Sequence, residues 1–199
     1  MKILNLAFLS SPAVVVLALL PATLARRTPF HQSGRDPSMP SARKVVPFLW
    51  FGRDAEAALR FYATIFPDAK IGDEVRWGEG GPEPKGTLMA ARIQLAGQEF
   101  MVLNGGPAPK FNDSFSVFVH ADTQAEIDEL WAKLTADGGE PGPCGWLKDK
   151  FGLSWQVVPT RLLTMLSDKD GERVKHVGGA LMQMKKIDLA RLEQAYAGR

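Results

Sequence analysis

KVVPFLWFGRDAEAALRFYATIFPDAKIGDEVRW (residues 44–77) decides the fold, because its hydrophobic period changes twice along its length. The opening KVVPFLWF is an apolar run of strand length, with Pro47 tolerable at an edge or early position. Asp54 then stands where a helix N-cap is wanted. After it, Ala55, Ala58, Leu59, Tyr62, Ile65 and Phe66 recur at helical spacing until Pro67 ends the run. AKIGDEVRW reads as a second strand and GEGGPEPKG as a loop. Working outward, TLMAARIQLA and QEFMVLN form two further strands joined by a tight turn at Gly97. The unit is β-α-β-β-β over residues 44–104.

Beyond a Gly/Pro linker, GGPAPKFND, the order starts again over residues 114–159. SFSVFVHA is a strand. TQAEIDELWAKLTADGG is a helix whose apolar face is Ala125, Ile127, Leu130, Trp131 and Leu134, stopped by Gly138 and Gly139. A short connection, EPGPCG, leads to WLKDKFG and LSWQVVP, a hairpin-like pair. Overlaying the helices places Ala55-Glu56 on Ala125-Glu126 and Phe61 on Trp131, a weak identity in a matching order of elements that points to internal duplication. Each sheet alone would leave an apolar face wet, so two such units are expected to share a concave surface. The fold class is therefore α+β, with paired units forming a curved mixed sheet.

Residues 161–199 form a helical extension, with one stripe at Val174, Val177, Leu181, Met182 and Met184 and another at Ile187, Leu189, Leu192 and Tyr196. A Met-rich stripe of this kind is packing material. Residues 1–38 differ from all that follows. Lys2, an apolar run around Val14 to Leu20 and small residues before Ala25 resemble a signal peptide, although Met39 is also a natural start for the domain that spans 39–160. Pro12 and Pro21 interrupt the apolar run, so a membrane anchor is the weaker reading. A start at Met39 makes the protein cytoplasmic, and cleavage near Ala25 makes it exported. A net charge of +2 without a dense basic block gives no nucleic-acid footprint, and a single cysteine cannot form an internal disulfide.

PFLWFGRDAEAALRFYATIFPDAKI, LNGGPAPKF and CGWLKDKFGLSWQVVP together resemble the PhnB-like branch of the vicinal oxygen chelate superfamily, and MKKIDLARLEQAYAG resembles the ending of that branch. That superfamily includes glyoxalase I, bleomycin-resistance proteins and extradiol dioxygenases. The resemblance implies paired β-α-β-β-β units, a homodimer and a ligand cleft lined by curved sheets. Members of the branch are often labelled 3-demethylubiquinone-9 3-methyltransferase-like. A methyl donor is usually held by a Gly-rich strand-to-helix turn, and NGGP is followed by no helix whose N-terminus would hold an anion. Methyl transfer is therefore not the expected activity.

In metal-using relatives a divalent ion sits among histidines and glutamates. By resemblance the corresponding positions fall near Pro47, near Met101, near Ser114 and Ser116, and at Gln156, which follows Asp149 and Gly152 in the family spacing. Carboxylate and imidazole donors are missing there, so no metal and no cofactor is expected. His120 is isolated, and His31 and His176 lie in the terminal segments. Cys144 has Lys148 nearby but no neighbouring histidine to act as base, which leaves nucleophile, pocket-lining residue and inert packing open. The aromatic residues Trp50, Phe61, Trp77, Trp146 and Trp155 fall on elements that the paired units bring together. The expected ligand-binding set is Trp50, Trp77, Asn104, Cys144, Lys148, Trp155 and Gln156, holding a small apolar or aromatic molecule. Two rivals stand beside it: a metal-dependent lyase or dioxygenase-type enzyme on a vicinal-oxygen substrate, and a structural or regulatory dimer with a filled cleft.

Overall fold

The computed structural model describes residues 45–107 and 110–198. The readings made on residues 1–38, and Lys44 at the head of the first strand, lie outside the described residues. The first unit comprises β1 (Phe48–Phe51), α1 (Ala55–Ile65), β2 (Lys70–Arg76), β3 (Leu88–Leu95) and β4 (Gln98–Asn104). The second comprises β5 (Ser116–His120), α2 (Gln124–Leu134), β6 (Glu140–Pro141), β7 (Trp146–Lys148) and β8 (Ser154–Val158). The extension adds α3 (Thr160–Leu166), α4 (Gly171–Leu181) and α5 (Leu189–Tyr196).

The strands form two four-stranded sheets of identical topology, β1-β4-β3-β2 and β5-β8-β7-β6. In each, the first strand runs parallel to the fourth and the remaining pairs are antiparallel. Two-residue alternation then sends one set of side chains to the helix side and the other away from it. On the helix side Leu49, Phe51, Ala91, Ile93, Phe100 and Val102 meet Ala58, Leu59 and Tyr62, all buried. Leu147, Trp155 and Val157 do the same for the second sheet against Ile127, Leu130 and Leu134. Each fully buried Leu or Ile contributes about 1.5–3 kcal/mol relative to an exposed one.

The structure departs from the sequence reading in three places: a cap, a helix end and an added strand. Asp54 sits at the α1 N-cap position but its side chain makes no capping bond. Asn104, at the end of β4, accepts from the Ala55 N–H at 2.8 Å instead, so the cap comes from across the sheet. The second helix ends at Leu134, because Asp137 adopts a left-handed φ of 54° within a short 3-10 turn. Residues within EPGPCG, read as plain connection, contribute β6, paired with β7 through Glu140–Lys148 and Pro141–Leu147.

The two units are held together by a buried carboxylate. Asp149, in the β7–β8 turn, accepts through Oδ2 from the Tyr62 hydroxyl at 2.8 Å and the Trp155 indole N–H at 2.8 Å. Its Oδ1 accepts from the backbone N–H groups of Phe151 and Leu153 at 2.9 and 3.1 Å. Tyr62 lies on α1 and Trp155 on β8, so one side chain ties the first unit's helix to the second unit's sheet. Phe66 stacks on Trp155 and Phe51 meets Phe111 and Phe151 edge-on along the same seam.

The extension docks on the second unit through its own small core: Val158, Leu162, Met165, Val177, Met184, Ile187 and Leu192. Gln124 of α2 donates to the Ile187 carbonyl and accepts from the Leu189 N–H. Gly145 needs its glycine here. Its φ is +85°, and a Cβ would come within 2.8 Å of the Val157 carbonyl and 2.9 Å of Ile187.

Candidate ligand-binding face

The side of each sheet turned away from its helix is open, and the two open faces differ in chemistry. On the second sheet the cross-strand registers set out two rows. Phe118, Gln156 and Trp146 make one, and Ser116, Ser154, Lys148 and Glu140 make the next. Gln156 thus stands between two aromatic side chains, with Phe118 41% exposed. Its carboxamide donates to the Ser116 hydroxyl at 2.8 Å, which fixes the amide and leaves its carbonyl oxygen available.

The polar row is bridged by a residue from the inter-unit linker. Asp113 Oδ1 accepts from the Ser154 hydroxyl at 2.7 Å and lies 3.4 Å from Lys148 Nζ. The Ser154 hydrogen bond, followed by the Lys148 ammonium, holds the Asp113 carboxyl below its ordinary value. Asp113, Glu140, Pro141, Gly142, Pro143, Trp146, Leu147 and Lys148 line a recess of about 370 Å³ on this face. At the far end of the same face Val158 is covered by the extension, and His120 lies 3.5 Å from the Thr160 hydroxyl.

The first sheet's open face carries Phe48, Trp50, Ala90, Arg92, Met101 and Leu103. Trp50 lies flat against the turn after β4, so close that a Cβ on Gly105 would sit 2.2 Å from its Nε1. Its Nε1 is buried without an acceptor among the described residues. Trp77 Nε1 is likewise buried without an acceptor among the described residues.

Of the seven residues expected from the sequence to bind ligand, Lys148 and Gln156 fall together on the second open face and Trp50 on the first. Trp77 follows β2 at the edge of the first sheet, where its backbone pairs with Thr87 and Gly86. Three belong to the framework instead. Trp155 is fully buried on the helix side, because its strand position has opposite parity to Gln156. Asn104 uses its oxygen on Ala55 and its amide on the Leu88 carbonyl, at 2.8 and 3.0 Å. Cys144 faces the extension: its N–H donates to the Met184 carbonyl at 2.8 Å, and its sulfur sits 3.6 Å from the Leu181 carbonyl and 3.8 Å from Met182 Sδ. Ser116, Phe118, Trp146, Ser154 and Asp113 complete the face and were not in the expected set. The signal for Phe118 and Ser116 was their two-residue spacing along β5, readable only once β5 is registered against Gln156.

The residues do not fit the divalent ion of metal-using relatives. Phe48 and Met101 pair across β1 and β4, and Gln156 offers one neutral amide oxygen where those relatives have a carboxylate. Among the described residues no three His, Cys, Asp or Glu side chains converge. Nor is any described helix long and apolar enough to cross a membrane.

Two mixed β-α-β-β-β sheets of this topology, each with a helix on one side and an open face on the other, give the chain a glyoxalase-like α+β fold. Residues 43–158 match the family described as 3-demethylubiquinone-9 3-methyltransferase, and the chain belongs to that family. Among solved structures it is similar to the putative 3-demethylubiquinone-9 3-methyltransferase, PhnB protein, of Bacillus cereus, at 33% identity over 59% of this chain and 100% of that one, with a TM-score of 0.52. It is also similar to the fosfomycin resistance protein FosX of Listeria monocytogenes, at 17% identity, 65% and 100% coverage and a TM-score of 0.48. A glyoxalase/bleomycin resistance protein of Albidiferax ferrireducens aligns at 19% identity, 57% and 96% coverage and a TM-score of 0.38. No curated protein matches the chain. The family match ends at Val158, where β8 ends and the extension begins.

Proposed function

We propose that the chain binds a small aromatic or apolar molecule on the open face of its second sheet, without a resident metal ion. The observation that carries this reading is the row Phe118–Gln156–Trp146, in which an amide held by Ser116 is flanked by two rings. Such a row offers apolar contact on either side of one oriented polar group, the usual composition of a small-molecule site. The molecule works as a homodimer in this reading. Phe48 and Phe118, 54% and 41% exposed on the two open faces, are covered when a second copy supplies the opposite sheet. In this reading the protein is cytoplasmic, with export as the alternative if residues 1–25 act as a signal peptide.

A tryptophan-fluorescence screen of planar aromatics against the full chain and Trp146→Phe tests the binding claim. Saturable changes that weaken in Trp146→Phe support it, and silence across diverse aromatics would favour a dimer with a filled cleft. Stoichiometric zinc, nickel, manganese or iron in untagged protein would transfer the preference to the metal-dependent enzyme. Light scattering at micromolar concentration decides the dimer, and mass spectrometry of the mature N-terminus decides the start.

A further inference from the structure

We infer that Asp113 is a tethered stand-in for the acidic group of an anionic aromatic ligand, occupying its donors until the ligand displaces it. The inference rests on the binding reading above and adds the charge class of the ligand. Four hydrogen-bond donors lie on adjacent positions of one face: the Lys148 ammonium, the hydroxyls of Ser154 and Ser116, and the second N–H of Gln156. Asp113 sits on the first two, at 3.4 and 2.7 Å. Two oxygens of a carboxylate suit this set as well as the Asp113 carboxylate does. The apolar body of such a ligand has Trp146 and Phe118 one row away.

The contact is built to release. The Asp113 side chain is 64% exposed, and its ion pair with Lys148 is open to solvent, where such pairs contribute little. Its backbone is fixed independently: the Asn112 side chain accepts from the Ser114 N–H at 2.9 Å and Phe111 is packed on Phe51. Rotation of one side chain therefore frees Lys148 and Ser154 while the linker stays in place. Glu140 lines the same recess. With both carboxylates present the recess is too acidic to collect small anions without a purchase on the rings. The ligand this arrangement selects combines an acidic group with an aromatic body.

The test compares 1-naphthoate with its uncharged analogue 1-naphthamide, titrated by tryptophan fluorescence against the full chain and Asp113→Ala, Asp113→Asn and Asp113→Ala/Lys148→Ala. Removing the competing charge is expected to tighten 1-naphthoate about threefold, the scale of one exposed ion pair. 1-Naphthamide, which carries no charge for Lys148, gains less than 1-naphthoate, and the difference vanishes in the double variant. Unchanged or weaker naphthoate binding in both single variants, or an equal gain for naphthamide, overturns the inference while leaving the binding reading intact. Iodide quenching gives a second readout that needs no ligand. Asp113→Ala raises quenching by iodide but not by acrylamide, and Lys148→Ala reverses the rise. If neither naphthalene binds any variant, the inference fails, and the wider screen of aromatics decides the binding reading.

Discussion

The two sheets share strand order, strand direction and a helix on one side, yet their open faces have little in common. On the first, the central row is Trp50, Leu103 and Ala90, and Trp50 has its one polar atom pressed against Gly105. On the second, Gln156 lies between Phe118 and Trp146, beside a row in which Asp113 engages Ser154 and Lys148. The lesson is that topology places a surface, whereas the side chains of alternate strand positions decide whether that surface has chemistry. The polar groups of the first unit, Asn104 foremost, are spent on the fold. Those of the second remain partly free.

The largest test of the comparison removes what joins the two units. Asp149→Ala leaves the Tyr62 hydroxyl and the Trp155 N–H in the core without their acceptor, and each buried orphan donor costs about 1–3 kcal/mol. A loss of at least ~3 kcal/mol in urea unfolding is expected, and a loss below ~1 kcal/mol would mean that the units are held by apolar packing alone. The pH dependence carries a second signature. Burial raises the Asp149 carboxyl above its ordinary value, against the hydrogen bonds from Trp155, Tyr62, Phe151 and Leu153, which lower it. The folded chain then holds this proton more tightly than the unfolded chain. Its contribution to stability is full below the ordinary carboxylate value and declines as pH rises through the raised one. Exposed acids such as Asp113 and Glu56, held low by their partners, slope the other way. The diagnostic quantity is therefore the wild type minus Asp149→Asn difference in unfolding free energy, expected to fall as pH rises above the ordinary carboxylate range.

Gly105→Ala strikes the first unit alone. The added methyl falls 2.2–2.9 Å from three atoms of the Trp50 indole, so the ring must leave its place. A cost of about 1–3 kcal/mol is expected, as for other overpacked sites, with a shift in tryptophan emission. Gly145→Ala is the matching change in the second unit, where the obstacle is the Val157 carbonyl and the docked extension. If it left the extension as protected from proteolysis as in wild type, the extension would be anchored chiefly by Gln124.

The functional half of the comparison rests on Gln156. Gln156→Ala removes the carboxamide between the two rings and is expected to weaken binding of any aromatic found in the fluorescence screen about tenfold, the equivalent of one oriented hydrogen bond. Met101→Ala, on the first open face, is expected to change it less than twofold. Equal losses would show that both faces grip the ligand, and would make the distinction between them one of composition only.

The order of elements was readable because period two and period 3.6 alternate so cleanly in residues 44–77 and again in 114–159. The family spacing after Asp149 picks out Gln156 in the sequence. For Trp155 and Gln156, alternation says that the two point oppositely, but not which of them faces the helix. Asn104 could not be told from a ligand anchor, because the backbone it caps is distant in sequence. Asp113 was hidden in a linker whose only local sign was polarity. What the sequence withholds is the partner of each polar group, and that is set by strand register.

The smallest effect is expected where the two units are most alike, on the outer surfaces of their helices. Each helix carries an i,i+4 ion pair, Glu56–Arg60 at 2.9 Å in α1 and Glu129–Lys133 at 2.6 Å in α2. Exposed pairs of this kind contribute under about 0.5 kcal/mol, so Lys133→Ala should lower stability by no more than that. Arg60→Ala should do less. Glu56 also accepts from Arg76 of β2 at 3.1 Å, so its carboxylate keeps a cation when Arg60 is gone. Thermal unfolding of the two variants at low salt resolves the order. A larger loss from Arg60→Ala would place Arg60 in a cooperative network with Arg76 and Glu74, and would make the first unit's charged edge as unlike the second unit's as their open faces are.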